Sequence, residues 1–370
     1  MEFESLNLVG LLHQLGIGLY ITDTDRRIIF WNKRAEHILG WTADEVVGKH
    51  CRDNLLDHID KEGRPLCDSQ YCPLFKAITT ARASDEPVIA YARKSDGARL
   101  CVSLNVAPVY DRNGIVIGGV ETFRDESERE RQLGIAKRVQ EHVIKFTEFD
   151  DPRISFGQLT EARDEVTGDF SHVYQPQADS YGLVVADVIG HGFSAALITT
   201  MIHSFFHENV ELWIEPSSML ANLNERICAL GMDYICASVA LARIDLNPLS
   251  CTVTHAGAPG IVCLRDGKPV WVGEAGGVPC GMFDREIYAE ETFDIQPGDR
   301  ILAHSDGATD IVLEDGTLLG AEKLYEIIGG IKPGNEQAGL AEKFGELYRL
   351  SSEVTLRDDL TLLTAYIDPQ

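Results

Sequence analysis

The chain has 370 residues, 44% of them apolar and 25% charged, enough for two full-sized cores and ordinary for a globular protein. Its 58 acidic and 33 basic side chains leave a formal charge of -25, which argues against nucleic acid or an anionic membrane as the main partner. No stretch approaches the ~20 consecutive apolar residues of a membrane span, and the acidic start MEFESLNLVGLL lacks the basic opening of a signal peptide, so a cytoplasmic protein is expected.

In chain order, GLYITDTDRRIIFWN alternates around an Asp-Thr-Asp turn and predicts a hairpin. KRAEHILGWTADEVVGK follows with helical spacing, interrupted at Gly40. Three strands come next, PVIAYAR, RLCVSLNVAPVY and VIGGVETFRD, joined at Ser95-Asp96-Gly97 and Arg112-Asn113-Gly114, both Xaa-Gly hairpin signals. This order over residues 1–125 resembles a PAS sensor domain, with ITDTDRRIIFWNKRAEHILGWTADEVVGK carrying the likeness. The resemblance implies a fold and leaves the ligand open, since PAS domains bind haem, flavin, small acids or nothing.

The segment KHCRDNLLDHIDKEGRPLCDSQYCPL brings Cys51, Cys67 and Cys72 together, with His50 and His58 nearby, in an otherwise Cys-poor domain. These three cysteines are the candidate sensor site. A redox thiol set, a zinc or iron–sulfur site, and plain packing residues of a long loop all remain open. The spacing of sixteen and then five residues matches no standard metal motif, and Cys101 adds a fourth ligand only if it points inward. The other cysteines, Cys228, Cys236, Cys251, Cys263 and Cys280, lie in apolar surroundings and read as reduced core residues.

Residues 126–149 are charged and helix-prone, with Ala136, Val139, Val143 and Phe146 at heptad spacing. They predict a helical linker that either forms a short coiled coil or packs on the domain that follows.

From about residue 150 the signals change. YGLVVADV reads as a buried strand carrying one acid, Asp187; it breaks at Gly190-His191-Gly192 and hands over to the helix-like FSAALITTMIHSFF. An Asp in such a run is costly unless it is paired or binds a cation, the alternative being a cap on the following helix. Asp169 in EVTGDFSHVY, Asp306 in DRILAHSDGATD, and Asp358 and Asp359 in LRDDLTLLTAYI also sit at strand ends or turns. Such acids repel one another without cations, and hard divalent ions such as magnesium or manganese satisfy them. Two such ions a few ångströms apart can hold a hydroxide for in-line attack on a phosphate. The runs ICASVALARIDL and LSCTVTHAGAPGIVCLR, around an Asn247-Pro248 turn, join these strands in a two-sheet core, with helices over 193–210, 216–231 and 336–350. His203 and His207 are assigned to a core-facing helix and His191 to loop positioning. No Cys-x5-Arg loop, P-loop or kinase glycine loop is present.

The ordered set TGDF, VVADVIGHG, AGAPG, PGDRILAHSDGATD and RDDLTLL resembles the SpoIIE-type branch of the metal-dependent serine/threonine protein phosphatases, which have a protein phosphatase 2C-like fold. The resemblance implies an α+β chain with an α-β-β-α sandwich over 150–370 and two Mn2+ or Mg2+ ions. Within it Asp187 bridges both ions and the Val188 carbonyl completes the second site. Asp306 and Asp359 hold the first ion, and Asp169 holds metal-bound water, making Asp187 and Asp169 the catalytic residues. Two departures stand out: Thr167-Gly168-Asp169 replaces Gly-Gly-Asp, and Ala256-Gly257-Ala258 replaces Ala-Gly-His, neither at the cost of a carboxylate. IAKRVQEHVIKF resembles the switch helix that, in that family, dimerises and controls metal-site order. The reading is a PAS-regulated phosphoserine/phosphothreonine protein phosphatase, a homodimer through the PAS domain and linker. By resemblance its substrate is a phosphorylated antagonist protein in a partner-switching cascade that controls a sigma factor. The alternative is a non-catalytic phosphatase-fold module that docks a signalling partner.

Overall fold

Asn32 shows how the first sheet and its helices are tied together. Fully buried, it accepts from the amides of Leu19 and Ala35 and donates to the carbonyls of Leu12 and Ile17, each at 2.8–3.0 Å. One side chain thereby joins helix α1 (Leu8–Gln14), strand β1 (Gly18–Asp23) and helix α2 (Lys33–Leu39), which it also caps. The computed structural model describes residues 7–369 except 54, 68–70, 144, 164, 191, 233–234, 258–259, 274–275 and 351–355, and the side chains of 143, 347 and 350. His191, Ala258 and the Val143 side chain therefore lie outside the described residues.

The chain divides into two units, residues 1–132 and 133–370. In the first, β1 and β2 (Ile28–Trp31) form the expected hairpin; α2 stops at Gly40, whose φ of 76° is left-handed, before the short α3 (Ala43–Val46). A further helix, α4 (Pro73–Thr80), starts at the end of the cysteine-rich segment, with Pro73 in its first turn and Leu74, Ala77 and Ile78 buried. Strands β3 (Val88–Arg93), β4 (Arg99–Tyr110) and β5 (Val116–Asp125) complete an antiparallel sheet in the order β2-β1-β5-β4-β3. Tyr20, Trp31, Leu104 and Phe123 lie in its core.

Helix α5 (Ser127–Val143) runs across the division, so the boundary falls inside the expected linker. Among its described residues the buried one is Gln140, while Val139, at a heptad position, is 47% exposed.

The second unit stacks two antiparallel five-stranded sheets. One contains β7 (Asp169–Gln177), β8 (Ser180–Val188), β9 (Ala237–Leu246), β10 (Leu249–Ala256) and β13 (Glu290–Asp294), in the order β13-β10-β9-β8-β7. The other is built from β6 (Ile154–Glu161), β11 (Ile261–Arg265), β12 (Lys268–Val272), β14 (Arg300–His304) and β15 (Leu360–Ile367), in the order β12-β11-β14-β15-β6. Strand β8 is apolar from Leu183 to Ala186 because both faces are covered there. Leu183 and Val185 meet Ile154, Ile301 and Leu363 between the sheets, while Val184 and Ala186 meet Ile202 and Phe206 of α6 (Phe193–Glu208). Helix α7 (Pro216–Cys228) shares that outer layer; α8 (Gly320–Gly329) and α9 (Glu336–Leu350) cover the opposite sheet. The result is the α-β-β-α sandwich, with α8 added to the three helices read from sequence. His203 is only half-buried on α6 and His207 is exposed, so the core-facing side of that helix is carried by Ala195, Ile202, Phe205 and Phe206 instead.

Candidate active site

Strands β7 and β8 pair antiparallel with Asp169 directly opposite Asp187, which places two carboxylates side by side at one end of a sheet. The other sheet brings its acids to the same place. The turn after β14 carries Asp306, and β15 begins just after Asp358 and Asp359. These two segments lie in close contact: a Cβ on Gly307 would fall 2.0 Å from the Asp359 carbonyl oxygen, so only glycine fits there. Ser305 seals the contact, its amide donating to the Thr361 carbonyl at 3.1 Å and its hydroxyl accepting from the Thr361 amide at 2.9 Å.

The electrostatics register this crowding. Asp169 is 1% exposed and its Oδ2 has no hydrogen-bond partner. Burial, and then the Asp187 charge, push its carboxyl well above the usual range. Asp187 is pushed up to about 7 by burial and by Asp306, Asp358 and Asp359. Asp306 is raised by desolvation and then by Asp358.

Asp359, a metal ligand by the resemblance, has both carboxylate oxygens hydrogen-bonded within the chain. Its Oδ1 accepts from the Arg163 amide at 2.7 Å, and its Oδ2 accepts from the Gly168 amide at 2.6 Å and the Thr167 hydroxyl at 3.0 Å. Both oxygens are thus engaged by the loop leading to Asp169, and the carboxylate that charges Asp306 most is that of its neighbour, exposed Asp358. The Thr167 departure has a use here. The hydroxyl that donates to Asp359 accepts from the Asp169 amide at 2.9 Å, and Thr199 of α6 holds the Gly168 carbonyl at 2.8 Å.

Gln140 was not legible in the sequence. Buried on α5, it grips the same loop with both ends of its amide: Nε2 donates to the Thr167 carbonyl at 2.8 Å, and Oε1 accepts from the Thr167 amide at 3.2 Å. A polar residue beside the apolar heptad positions was the only hint.

As placed, no three His, Cys, Asp or Glu side chains among the described residues converge on one point that would hold an ion. The donor set nonetheless fits hard divalent cations. It is all oxygen, with Asp169 Oδ2 unpartnered, and the raised affinities of Asp169 and Asp187 for protons are those of acids in need of counter-charge. The candidate PAS residues Cys51, Cys67 and Cys72 are buried thiols in the first unit; His58 is buried beside Cys67, while His50 is half-buried.

Among the described residues no helix is long and apolar enough to cross a membrane. A PAS domain family matches residues 16–128. Two curated relatives from Bacillus subtilis (strain 168) are similar to this chain. Phosphoserine phosphatase RsbP is 25% identical over 185 residues, 49% of this chain and 45% of RsbP. Phosphoserine phosphatase RsbU is 26% identical over 240 residues, 64% of this chain and 70% of RsbU. The chain thus spans under half the length of the first of these relatives. The fold is that of the SiaA-PP2C domain of Pseudomonas aeruginosa, with a TM-score of 0.56 at 20% identity over 66% of this chain and 98% of that one. It is also that of the PP2C phosphatase domain and regulatory fragment of SpoIIE from Bacillus subtilis, with a TM-score of 0.52 at 16% identity over 77% and 80%. The family described as Stage II sporulation protein E (SpoIIE) matches residues 177–368, more than half of the chain, and the chain belongs to that family.

Proposed function

We propose that the second unit hydrolyses phosphoserine or phosphothreonine on a protein, in a reaction that depends on two Mn2+ or Mg2+ ions, and that the PAS unit and α5 regulate it. The observation that carries this reading is the cross-strand pair Asp169–Asp187 with Asp306 and Asp358 beside it, a cluster whose charge calls for cations. In this reading Asp187, the Val188 carbonyl, Asp306 and Asp358 hold the ions. Asp359 passes from ligand to positioning residue because both of its oxygens are taken by the loop. When bound, the cations offset the acids against an incoming phosphate and supply a water acidic enough to attack phosphorus. The chain's own part is to place them. Asp169 Oδ2, buried without a protein donor, accepts a proton from water and orients it. Thr167, Gly168 and Asp359 keep Asp169 in line, and Gln140 ties that loop to the helix arriving from the PAS unit.

Likeness to RsbP and RsbU, both named phosphoserine phosphatases, supports a phosphorylated antagonist protein of a partner-switching cascade as substrate. Exposed Ile135 and Val139 on α5 support a homodimer through the PAS unit and linker. The test is hydrolysis of p-nitrophenyl phosphate and of a phosphoserine protein by the full chain, with manganese, magnesium or chelator. Activity is expected only with metal, and Asp187→Asn should lower it by several orders of magnitude. Full activity in chelator removes the metal assignment; none under any condition leaves the docking-module reading.

A further inference from the structure

The first unit carries a buried polar cluster that the phosphatase reading leaves unused. Cys51, Cys67 and Cys72 are 4%, 7% and 6% exposed, all as free thiols. They share the core with Glu121, whose buried Oε1 has no hydrogen-bond partner, and His58, whose Nε2 lies 3.8 Å from that oxygen.

Cys72 differs from the other two in what surrounds it. It is the N-cap of α4, at the positive end of the helix dipole. Arg26 Nη1 donates to Cys72 Sγ at 3.6 Å and to the Cys67 carbonyl at 2.9 Å, so one guanidinium links both cysteines. A guanidinium held on the sulfur favours the negative charge that a thiol carries when it attacks. At Cys67 the sulfur accepts from the His58 amide at 3.1 Å, and burial pushes its thiol up to about 12. Burial raises Cys51 as well. Cys72 keeps 6% of its surface exposed, and an open cleft of about 690 Å3 lies along the neighbouring Tyr71 and Pro73.

We propose that Cys72 is a peroxide-reactive thiol resolved by Cys67, a covalent oxidation site in the PAS unit. The Cys72 thiolate attacks a hydroperoxide ROOH: an S–O bond forms, the O–O bond breaks, and RO⁻ leaves and takes a proton from water. The resulting sulfenic acid condenses with the Cys67 thiol. There an S–S bond forms, the S–O bond breaks, and water carries off the Cys67 proton. Two electrons pass from the sulfur pair to the peroxide. The high proton affinity of Cys67 makes the second step the slow one, so the sulfenic acid accumulates first.

The experiment is mass spectrometry of the reduced full-length chain treated with hydrogen peroxide, with and without dimedone to trap sulfenic acid. The expected result is a dimedone adduct on Cys72 at early times and, without dimedone, a Cys67–Cys72 disulfide later. Cys67→Ala should stop at the sulfenic acid. Arg26→Gln, which keeps every sulfur, should slow adduct formation roughly tenfold while the melting curve stays that of the parent protein. First reaction at Cys51 or Cys67, an unchanged rate in Arg26→Gln, or stoichiometric zinc shielding all three thiols from alkylation would overturn the proposal. These readouts are of mass and thiol content, so they stand or fall separately from the phosphatase activity.

Discussion

Replacing Gln140 with Leu should weaken metal binding from a position that touches no metal-site carboxylate. The side chain is 4% exposed and makes two hydrogen bonds to the backbone of Thr167, which is itself buried. Leucine removes both and leaves a buried N–H and C=O without partners, at about 1–3 kcal/mol each. Allowing the loop to open partly to water, the structured arrangement around Asp169 loses about 2–4 kcal/mol. A cation binds tightly only to that arrangement, so the loss appears as a manganese affinity weakened about 30- to 700-fold. The assay is a manganese titration of p-nitrophenyl phosphate hydrolysis, with a thermal melt to show that both units stay folded. The rate at saturating manganese should approach that of the parent protein, because the variant changes the population of the ordered loop and leaves the acids in place. Gln140→Glu keeps the acceptor for the Thr167 amide, loses the donor, and should fall between the two. A manganese curve for Gln140→Leu superimposable on the parent's would refute the reasoning and make α5 a passive tether.

Asp358→Asn should abolish metal-dependent activity while leaving loop order intact. Asp359→Asn should instead lower stability by about 1–3 kcal/mol, through weakened bonds to Thr167, Gly168 and Arg163, and activity only in consequence; metal titration and melts of the two variants separate the roles. In the first unit, burial pushes the Glu121 carboxyl up to about 8. Its contribution to stability is full below the unfolded value near 4.5 and is lost as pH rises through 8, by on the order of 5 kcal/mol at most. His58, pushed down to about 4 by burial, acts in the opposite sense, its contribution being lost as pH falls from 6.5 toward 4. Melts of residues 1–132 across pH should therefore decline on both sides, and Glu121→Gln should flatten the alkaline side; an unchanged alkaline slope would refute the assignment. Glu336→Ala leaves the buried Arg300 without its carboxylate partner and should cost about 3–5 kcal/mol in a denaturant melt of the full chain, seen as a shift of the second unit's transition.

The sequence by itself determined the elements and the chemistry. Hairpin turns at Gly97 and Gly114, the halt of α2 at Gly40 and the apolar run Leu183–Ala186 of β8 are local signals, because glycine conformation and side-chain periodicity are properties of a few consecutive residues. The acids at strand ends were legible for the same reason, since a carboxylate interrupting an apolar run is visible without a fold. Helix α4 is hard to read from sequence because its eight residues are too few for a periodic pattern and start at the end of a segment dominated by cysteines and turns. Which of Asp358 and Asp359 acts most on Asp306 lay beyond reach: consecutive residues project to different sides of the chain, and their placement is set by the pairing of β14 with β15 and by the loop folded over Asp359. Gln140 meets Thr167 across 27 residues, and Arg26 meets Cys72 across 46. Contacts between parts of the chain so far apart leave no mark on the local pattern of either, so only the packed structure decides them.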